Sequence, residues 1–172
     1  MAGHRAYRLG YLGRTDEASA ILREFMDYLK RPEGHLSAIV HRYLIEAAVA
    51  AGDAEACQEM LIRTEPLAPY LMTEAWMCFC VARHLGDAAA LLGLSEKARS
   101  FYELAEQQCH NIRFRPELAL SRLGLAELLL DHYPQEREAA IEHLDFAIAE
   151  LRDMKMRPAL ECALGRRGLL KA

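Results

Sequence analysis

Two arginine–carboxylate pairs have the residue types and the spacing for ligand binding. Arg42 is followed four residues later by Glu46, and Arg83 is followed four residues later by Asp87. Residues four apart share one face of a helix, so each pair would place a guanidinium beside a carboxylate. A repeated arginine on a face that lines a groove could bind a carboxylate or an acidic peptide through paired hydrogen bonds. The alternative is a surface ion pair that contributes only a few tenths of a kcal/mol.

The recurrence of the pairs predicts a partner-binding groove formed by Arg42, Glu46, Arg83 and Asp87. Each pair precedes a glycine-containing turn by the same number of residues. The next unit has a serine and a leucine at the corresponding positions, which favours surface ion pairs or a groove confined to the middle of the chain. We expect replacement of both arginines by alanine to weaken partner binding and to change thermal stability little.

A histidine and two cysteines near residue 80 have a spacing that suggests a metal site or nucleophilic catalysis. Cys80 and His84 are four residues apart, and Cys78 is nearby. Two well-placed ligands are too few for a zinc site, and cysteine commonly packs as a small hydrophobic residue. The chain also lacks the motifs GxxxxGK(S/T), GxGxxG, HExxH and CxxC, which mark phosphate, dinucleotide, zinc or redox sites. We therefore expect no metal, no cofactor and no enzyme activity.

Aromatic residues give two further candidate sites. Trp76, with Met77 and Phe79, could line a pocket for a small molecule, although aromatic residues on a helical stripe usually pack in a core. Tyr7 and Tyr11 share one face of a short predicted first helix. The ends of stacked helical arrays tend to expose apolar surface. These two tyrosines are therefore candidates for self-association of the chain into a homo-oligomer.

The composition requires that helices position these residues. Of 172 residues, 28 are alanine and 27 are leucine, whereas valine, isoleucine and threonine together number 13. This balance favours helix over strand and argues against a β-sandwich, a barrel or a parallel α/β sheet. Apolar residues recur at spacings of three and four, most clearly at Ile141, Leu144, Ile148 and Leu151. No convincing period-two strand is evident, and we predict an all-α fold.

The net charge and the cysteine content limit which partners and which cellular compartment are expected. A net charge of −4 gives no general case for binding nucleic acid. No apolar run reaches the length needed to span a bilayer, so no membrane association is expected. The five cysteines are odd in number and lie within helical patterns. Reduced thiols in a cytoplasmic protein are the simplest interpretation.

Breaks in the helical pattern divide the chain into helix pairs. Tight turns are marked by Gly13, Gly52, Gly93 and Pro134, which are 39, 41 and 41 residues apart. Residue–proline steps lie between these turns, because proline disfavours helix in the residue before it. The predicted single domain, 1–172, consists of hairpins at about 3–31, 35–64, 70–111 and 116–154, with a terminal helix at 159–170. The helix from Tyr70 is expected to be kinked or broken near residue 86. A period near 40 residues predicts a right-handed α-solenoid over an irregular bundle.

Residues 79–112 carry a specific order of small and aromatic residues: Leu85, Gly86, Gly93, Ala98, Tyr102 and Ala105. This order resembles the tetratricopeptide repeat (TPR). Glycine and alanine would let two antiparallel helices approach closely, Gly93 would turn between them, and Tyr102 would fill the space beneath the next helix. Ala82 stands where the family has its first aromatic residue. The longer units and the segment 115–172 also resemble the C-terminal helical-repeat regions of large bacterial signalling proteins.

In those proteins, such repeats follow an ATPase module, often with a nucleotide-cyclase or helix-turn-helix output domain. The resemblance implies a non-catalytic scaffold or regulatory module that binds a peptide or a partner domain in bacterial signalling or transcription regulation. The alternative is a small-molecule sensor that relays its ligand to an ATPase, a cyclase or a DNA-binding output domain. A closed cavity around Trp76 would favour the sensor, and an open groove at Arg42 and Arg83 would favour peptide binding.

Overall fold

A computed structural model describes residues 2–31, 37–74 and 77–170. Within these residues the structure is helical apart from one short hairpin of strands, which confirms the predicted all-α class. None of the described helices is both long enough and apolar enough to cross a membrane. The helices are α1 (Ala2–Tyr11), α2 (Thr15–Leu29), α3 (Ala38–Ala51), α4 (Ala54–Thr64), α5 (Val81–Leu91), α6 (Ser95–Asn111), α7 (Arg115–His132), α8 (Arg137–Asp153) and α9 (Arg157–Leu169). Single 3₁₀ turns occur at Glu65–Leu67 and Pro134–Glu136.

The turns between helices share one backbone form. Gly13, Gly52 and Gly93 adopt φ values of 71°, 68° and 70°, the left-handed conformation that glycine accommodates without strain. Each is followed by an amide that bonds back to the carbonyl five residues earlier, as in Leu94 N to Ala89 O at 2.9 Å. These bonds define Schellman helix ends. The predicted glycine turns are therefore confirmed.

The turns before α7 and α9 have the same form without glycine. Arg113 and Lys155 adopt φ values of 57° and 58°. Phe114 N then bonds to Cys109 O at 2.8 Å, and Met156 N bonds to Leu151 O at 2.9 Å. Sequence patterns did not indicate these left-handed residues, because neither is a residue type that favours positive φ.

The segment after Tyr70 corrects one prediction. It was expected to be helical, but strands β1 (Leu71–Glu74) and β2 (Met77–Cys80) pair antiparallel there, with Leu71 opposite Cys80. Helix α5 starts only at Val81. Prolines 66 and 69 stop helix propagation before the segment, and strands of four residues are too short to show a clear period-two pattern. Trp76 lies outside the described residues, and Phe79, which was predicted to line a pocket with it, is buried in the hydrophobic core.

Packing follows the order of the chain. Each of the helices α1 to α4 contacts the next, as do α5 to α9 in turn, and α4 contacts α5 across the strand hairpin. The odd-numbered helices also contact one another in series, α1 with α3, α3 with α5, α5 with α7 and α7 with α9. The alanines predicted at close helix approaches are all fully buried: Ala18, Ala98, Ala105, Ala140 and Ala147.

Candidate functional site

A buried ion network lies where α3, α5 and α7 meet, and its centre is Arg83 on α5. Arg83 Nε donates to Glu117 Oε2 at 2.6 Å, and Arg83 Nη1 donates to Asp87 Oδ2 at 2.6 Å. Arg83 Nη2 lies 3.7 Å from Glu46 Oε1 on α3 and 3.1 Å from the ring nitrogens of His84. We call Arg83, Asp87, Glu117, Glu46 and His84 the Arg83 network.

Local sequence explains how Glu117 reaches this network. Pro116 occupies the first turn of α7, where its missing N–H costs no hydrogen bond. Glu117 follows in the same turn, where the helix dipole stabilises a carboxylate. Glu117 is nevertheless buried, and its carboxylate is held by Arg83 from the neighbouring helix. The first turn of α7 therefore supplies the counter-charge for the centre of α5.

Tyr102 supports the network from α6. Its hydroxyl donates to Asp87 Oδ1 at 2.9 Å. The ring lies against two glycines: a Cβ on Gly86 would come within 2.7 Å of it, and a Cβ on Gly124 within 2.6 Å. The close approach predicted for Gly86 is thus made with Tyr102 itself. Because Gly86 on α5 and Gly124 on α7 have no side chain, the ring of Tyr102 can lie between these helices and its hydroxyl can reach Asp87.

Arg42 on α3 is placed differently from Arg83. Its Nη2 donates to Glu46 Oε1 at 3.1 Å. Its Nε and Nη1 atoms, and the Oε2 atom of Glu46, are buried and have no hydrogen-bond partner among the described residues. The guanidinium carbon lies 5.2 Å from the ring centre of Tyr43 and 5.3 Å from that of Phe79. The two aromatic rings therefore stabilise part of the positive charge of Arg42 through cation–π contacts, whereas carboxylates stabilise the charge of Arg83.

Carboxylates outnumber cations in this region. Glu46, Asp87 and Glu117 carry three potential negative charges against the two of Arg42 and Arg83. Burial raises the pKa of Glu46 and the pKa of Asp87, and the nearby arginines oppose this effect. Burial, followed by the two arginines, lowers the pKa of His84 well below its ordinary value, so His84 is neutral at pH 7. With its carboxylates ionised, the site has an excess of one negative charge.

A pocket of about 310 Å³ opens above this network, between α1, α3 and α5. Its polar wall is formed by Glu46, Arg83, His84 and Asp87, and Tyr11 stands at its rim with 70% of its surface exposed. The remaining wall consists of small and apolar residues of α1 and α3. The pocket therefore combines a hydrophobic side, an aromatic rim and a polar wall that contains two carboxylates.

Comparison of the chain with protein-family models, with curated proteins and with solved structures found no match. The chemistry of the pocket is thus the basis for any functional proposal.

The structure brings the four predicted groove residues together, but as an internal network and not as a row of free side chains. Arg83 is buried and its guanidinium already binds Glu117 and Asp87. Arg42 does not line the pocket. The geometry therefore does not offer Arg83 as a free clamp for a carboxylate ligand.

The two N-terminal tyrosines have different surroundings. Tyr11 is exposed, as the self-association prediction requires. Tyr7 is half-buried, with its ring centre 4.8 Å from that of Tyr11 and 6.2 Å from that of Tyr43 on α3. Burial is the main cause that raises the pKa of Tyr7 to about 12. An exposed Tyr7 is therefore not observed, because α3 covers this part of α1.

Sequence reasoning missed Glu117 and the polar role of Tyr102. Glu117 lies 34 residues after Arg83, on the odd-numbered helix that follows α5, so a search for opposite charges between the first helices of neighbouring units could have found it. Cys80 and His84 do not converge on a common point: the thiol lies 3.3 Å from Gln108 Oε1, whereas the imidazole lies beside Arg83. Among the described residues, no cluster of three or more histidine, cysteine or acidic side chains could hold a metal ion.

Proposed function

We propose that the chain is a non-catalytic helical-repeat module of the TPR type, which binds a partner protein through the pocket between α1, α3 and α5. Two observations support a solenoid over an irregular bundle. The odd-numbered helices contact one another in series. Side-chain contacts also join these odd-numbered helices: Arg83 on α5 pairs with Glu117 on α7, and Arg166 on α9 pairs with Asp131 on α7. Contacts between each unit and the next are typical of solenoids.

The pocket supports a cationic side chain as the part of the partner that enters. Asp87 and Glu46 line its polar wall, and the guanidinium of Arg83 is already bound by carboxylates. An anionic ligand would add a fourth negative charge to this region, whereas a lysine or arginine would neutralise the excess. The ring of Tyr11 at the rim suits a cation through its π face. The excess of carboxylates in the polar wall of the pocket is the observation that carries this proposal.

The proposal is tested by selecting binders from a library of short random peptides displayed on phage. We expect selection against the full chain to enrich lysine or arginine at one position. Tyr11→Ala should weaken binding of the selected peptides about tenfold, since the ring contact to the cation is lost. Ala50→Trp should weaken binding further, because Ala50 lines the pocket and a large side chain would fill it.

Tyr70→Ala is the matched control, because Tyr70 is also an exposed tyrosine and lies outside the pocket. Its affinity for the selected peptides should equal that of the parent chain. Enrichment of acidic residues would support the carboxylate-binding groove that the sequence predicts. It would overturn the proposal that a lysine or arginine of the partner enters the pocket. Equal binding by the Ala50→Trp variant and the parent would show that the pocket is not the site.

The second candidate function is the small-molecule sensor. The pocket volume of about 310 Å³ is at the lower end of the range for small-molecule sites, so an organic cation of modest size would fit. Thermal unfolding in the presence of butylammonium or of agmatine separates this candidate from peptide binding. A rise in Tm that is abolished by Ala50→Trp would favour a sensor. A selected peptide that binds where both amines fail would favour the interaction module.

A second copy of the chain is also a proposed partner. Tyr11 and Leu12 are adjacent at the end of α1 and are 70% and 72% exposed. Light scattering at high protein concentration should therefore detect a dimer, and Leu12→Glu should reduce it. A single monomeric mass for the parent chain would contradict self-association through this face.

A further inference from the structure

One face of α1 is exposed and adjoins the pocket between α1, α3 and α5. Tyr11 and Leu12 follow Arg8 by three and four residues, so the three side chains share one face of the helix, and all three are exposed. Tyr11 also stands at the rim of the pocket, whereas Arg8 does not line it. Helix α1 contains no acidic residue. We call Arg8, Tyr11 and Leu12 the α1 face.

The guanidinium of Arg8 is available to another molecule. Within the part of the chain that the structure describes, the side chain of Arg8 makes neither a hydrogen bond nor an ion pair. Arg14, in the turn that follows α1, is already bound to Glu17 by two hydrogen bonds of 2.6 Å and 2.7 Å. Of these two arginines, Arg8 is therefore the one that can bind a carboxylate of a partner.

The pocket and the α1 face have complementary charges. The polar wall of the pocket contains Glu46 and Asp87, and the surrounding network has one more carboxylate than it has arginines. A guanidinium can bind a carboxylate through two parallel hydrogen bonds. Because Arg8 lies outside the pocket of its own chain, the Arg8 of a second copy can supply the cation that this wall lacks.

We propose that the partner at the pocket is a second copy of the chain, whose Arg8 enters the pocket while Tyr11 and Leu12 of the two copies pack together. This inference rests on the proposed function, because it names the cation that the pocket binds. The contact is isologous: each copy inserts its Arg8 into the pocket of the other, and the assembly closes at two chains. Arg8 and Leu12 are about 6 Å apart along the helix axis, so a two-fold axis near Leu12 would bring each arginine toward the rim of the other pocket.

A cation close to the pocket gives a closed dimer, whereas a cation at the other end of the chain does not. Lys155 is also exposed, in the turn before α9, and α1 and α9 lie at opposite ends of the packing series. Its insertion into the pocket of a second copy would be a head-to-tail contact, which produces rings or open filaments. The number of chains in the assembly therefore separates the two arrangements.

The first experiment compares dimerisation of full-chain variants by analytical ultracentrifugation. Arg8→Ala removes both arginine contacts, so a loss of about tenfold for each contact gives a loss of about a hundredfold in dimer affinity. Arg152→Ala is the matched control, because Arg152 is also exposed, in the last turn of α8, and has no ion pair among the described residues. Its dimer affinity should equal that of the parent chain. Agmatine, whose guanidinium competes with Arg8, should dissociate the parent dimer.

The second experiment tests whether Arg8 of one copy acts at the pocket of the other. Arg8→Ala retains the pocket, and Ala50→Trp retains Arg8 but fills the pocket. Homodimers of either variant lose both contacts, whereas a mixed dimer keeps one. Fluorescently labelled Arg8→Ala should therefore bind unlabelled Ala50→Trp about tenfold more tightly than it binds unlabelled Arg8→Ala.

Three results would overturn the proposal. The first is equal dimer affinity of Arg8→Ala and the parent chain. The second is a mixture of the two variants that associates no better than either variant alone. The third is a parent chain that stays monomeric or forms open filaments. If Ala50→Trp fails to fold by circular dichroism, the comparison of Arg8→Ala with the parent and the competition by agmatine still decide.

Failure of this inference is distinguishable from failure of the pocket as a binding site. Arg8→Ala keeps the pocket, so it should bind the phage-selected basic peptides at least as tightly as the parent chain does, because no second copy competes. Binding of those peptides to a parent chain that does not dimerise would reject the second copy and leave the pocket as a site for another partner. A dimer that depends on Arg8 but is insensitive to agmatine and to Ala50→Trp would contradict the pocket itself.

Discussion

The arginine–carboxylate pairs of α3 and α5 have the same spacing in the sequence, but their arginines have different partners in the fold. Arg83 binds carboxylates on its own helix and on α7, through Asp87 and Glu117. Among the described residues, Arg42 donates to the carboxylate of Glu46 alone, and two of its nitrogens are buried without a hydrogen-bond partner. A repeated sequence pattern therefore fixes where a charge lies on its helix, and the neighbouring helix decides whether that charge is satisfied.

The difference follows from what each pair faces. The α5 pair receives a carboxylate from the first turn of α7 and a hydroxyl from Tyr102. The α3 pair faces the rings of Tyr43 and Phe79. In the next unit, Ser121 occupies the place of the arginine, and its hydroxyl bonds to the backbone carbonyl of Glu117. From α3 to α7, this position therefore changes from an arginine with a partly satisfied charge (Arg42), to an arginine bound by two carboxylates (Arg83), to an uncharged serine (Ser121).

Among the variants that test the difference between the two pairs, removal of Arg83 should lower the free energy of unfolding most. Arg83→Met would leave Glu117, Asp87 and Glu46 without their shared cation, and removing one partner of a buried ion pair costs about 3–5 kcal/mol. Urea unfolding at pH 7 measures this loss. This expectation replaces the sequence-based one, in which loss of the arginines changes stability little, because Arg83 is buried.

Arg115→Met is the matched control for Arg83→Met. Arg115 also bridges two carboxylates, on Glu150 and Asp153, but in an exposed position. Its loss should change the unfolding midpoint little, because exposed ion pairs contribute little. Similar losses in the two variants would contradict a special role for the buried network.

The support that Tyr102 gives the α5 pair can be tested without touching a charge. Gly124→Ala would place a methyl group against the tyrosine ring and push it away from Asp87. Overpacking of this kind costs about 1–3 kcal/mol, measured by urea unfolding. Gly165→Ala on α9 has open space around it and should be neutral or stabilise by up to about 1 kcal/mol. Equal effects of the two substitutions would show that Tyr102 adjusts freely.

The sequence predicted the helices well and the site less well, for separate reasons. The stripe from Ile141 to Leu151 and the glycine turns are local signals, so α8 and the turn at Gly93 lie close to their predicted places. The strand hairpin was missed because its strands are four residues long. The role of Glu117 depends on a contact with Arg83 across 34 residues. No local pattern around either residue indicates that contact.

Removal of Arg42 should cost less than removal of Arg83. Arg42→Met would remove two buried nitrogens that have no hydrogen-bond partner among the described residues. Their removal is favourable and offsets part of the stability lost with the Glu46 ion pair. Glu46 would keep Arg83 Nη2 at 3.7 Å. We expect a loss of about 1–2 kcal/mol by urea unfolding. A loss as large as that of Arg83→Met would show that the α3 pair is as fully satisfied as the α5 pair.

The smallest expected effect concerns His84, which lies beside both arginines. Burial and these cations lower its pKa in the folded chain well below the ordinary value of 6.5 that the unfolded chain retains. On acidification below pH 6.5 the unfolded chain binds a proton at this site and the folded chain does not, so folding stability is lost as the pH falls. Between pH 7.5 and 5.5 this loss is at most about 1.4 kcal/mol.

His84→Gln should remove this part of the pH dependence in parallel urea titrations, and His110→Gln, at the exposed end of α6, controls for the substitution itself. Glu46 and Asp87 act in the opposite direction, because a raised carboxyl pKa gives stability at low pH that is lost as the pH rises through it. The difference between parent and variant separates the two effects, since the carboxylates are common to both. An unchanged slope in His84→Gln would mean that His84 takes up its proton in the folded chain. The Arg83 network would then accept a further positive charge, which is the behaviour expected if its excess of carboxylates outweighs the repulsion of its arginines.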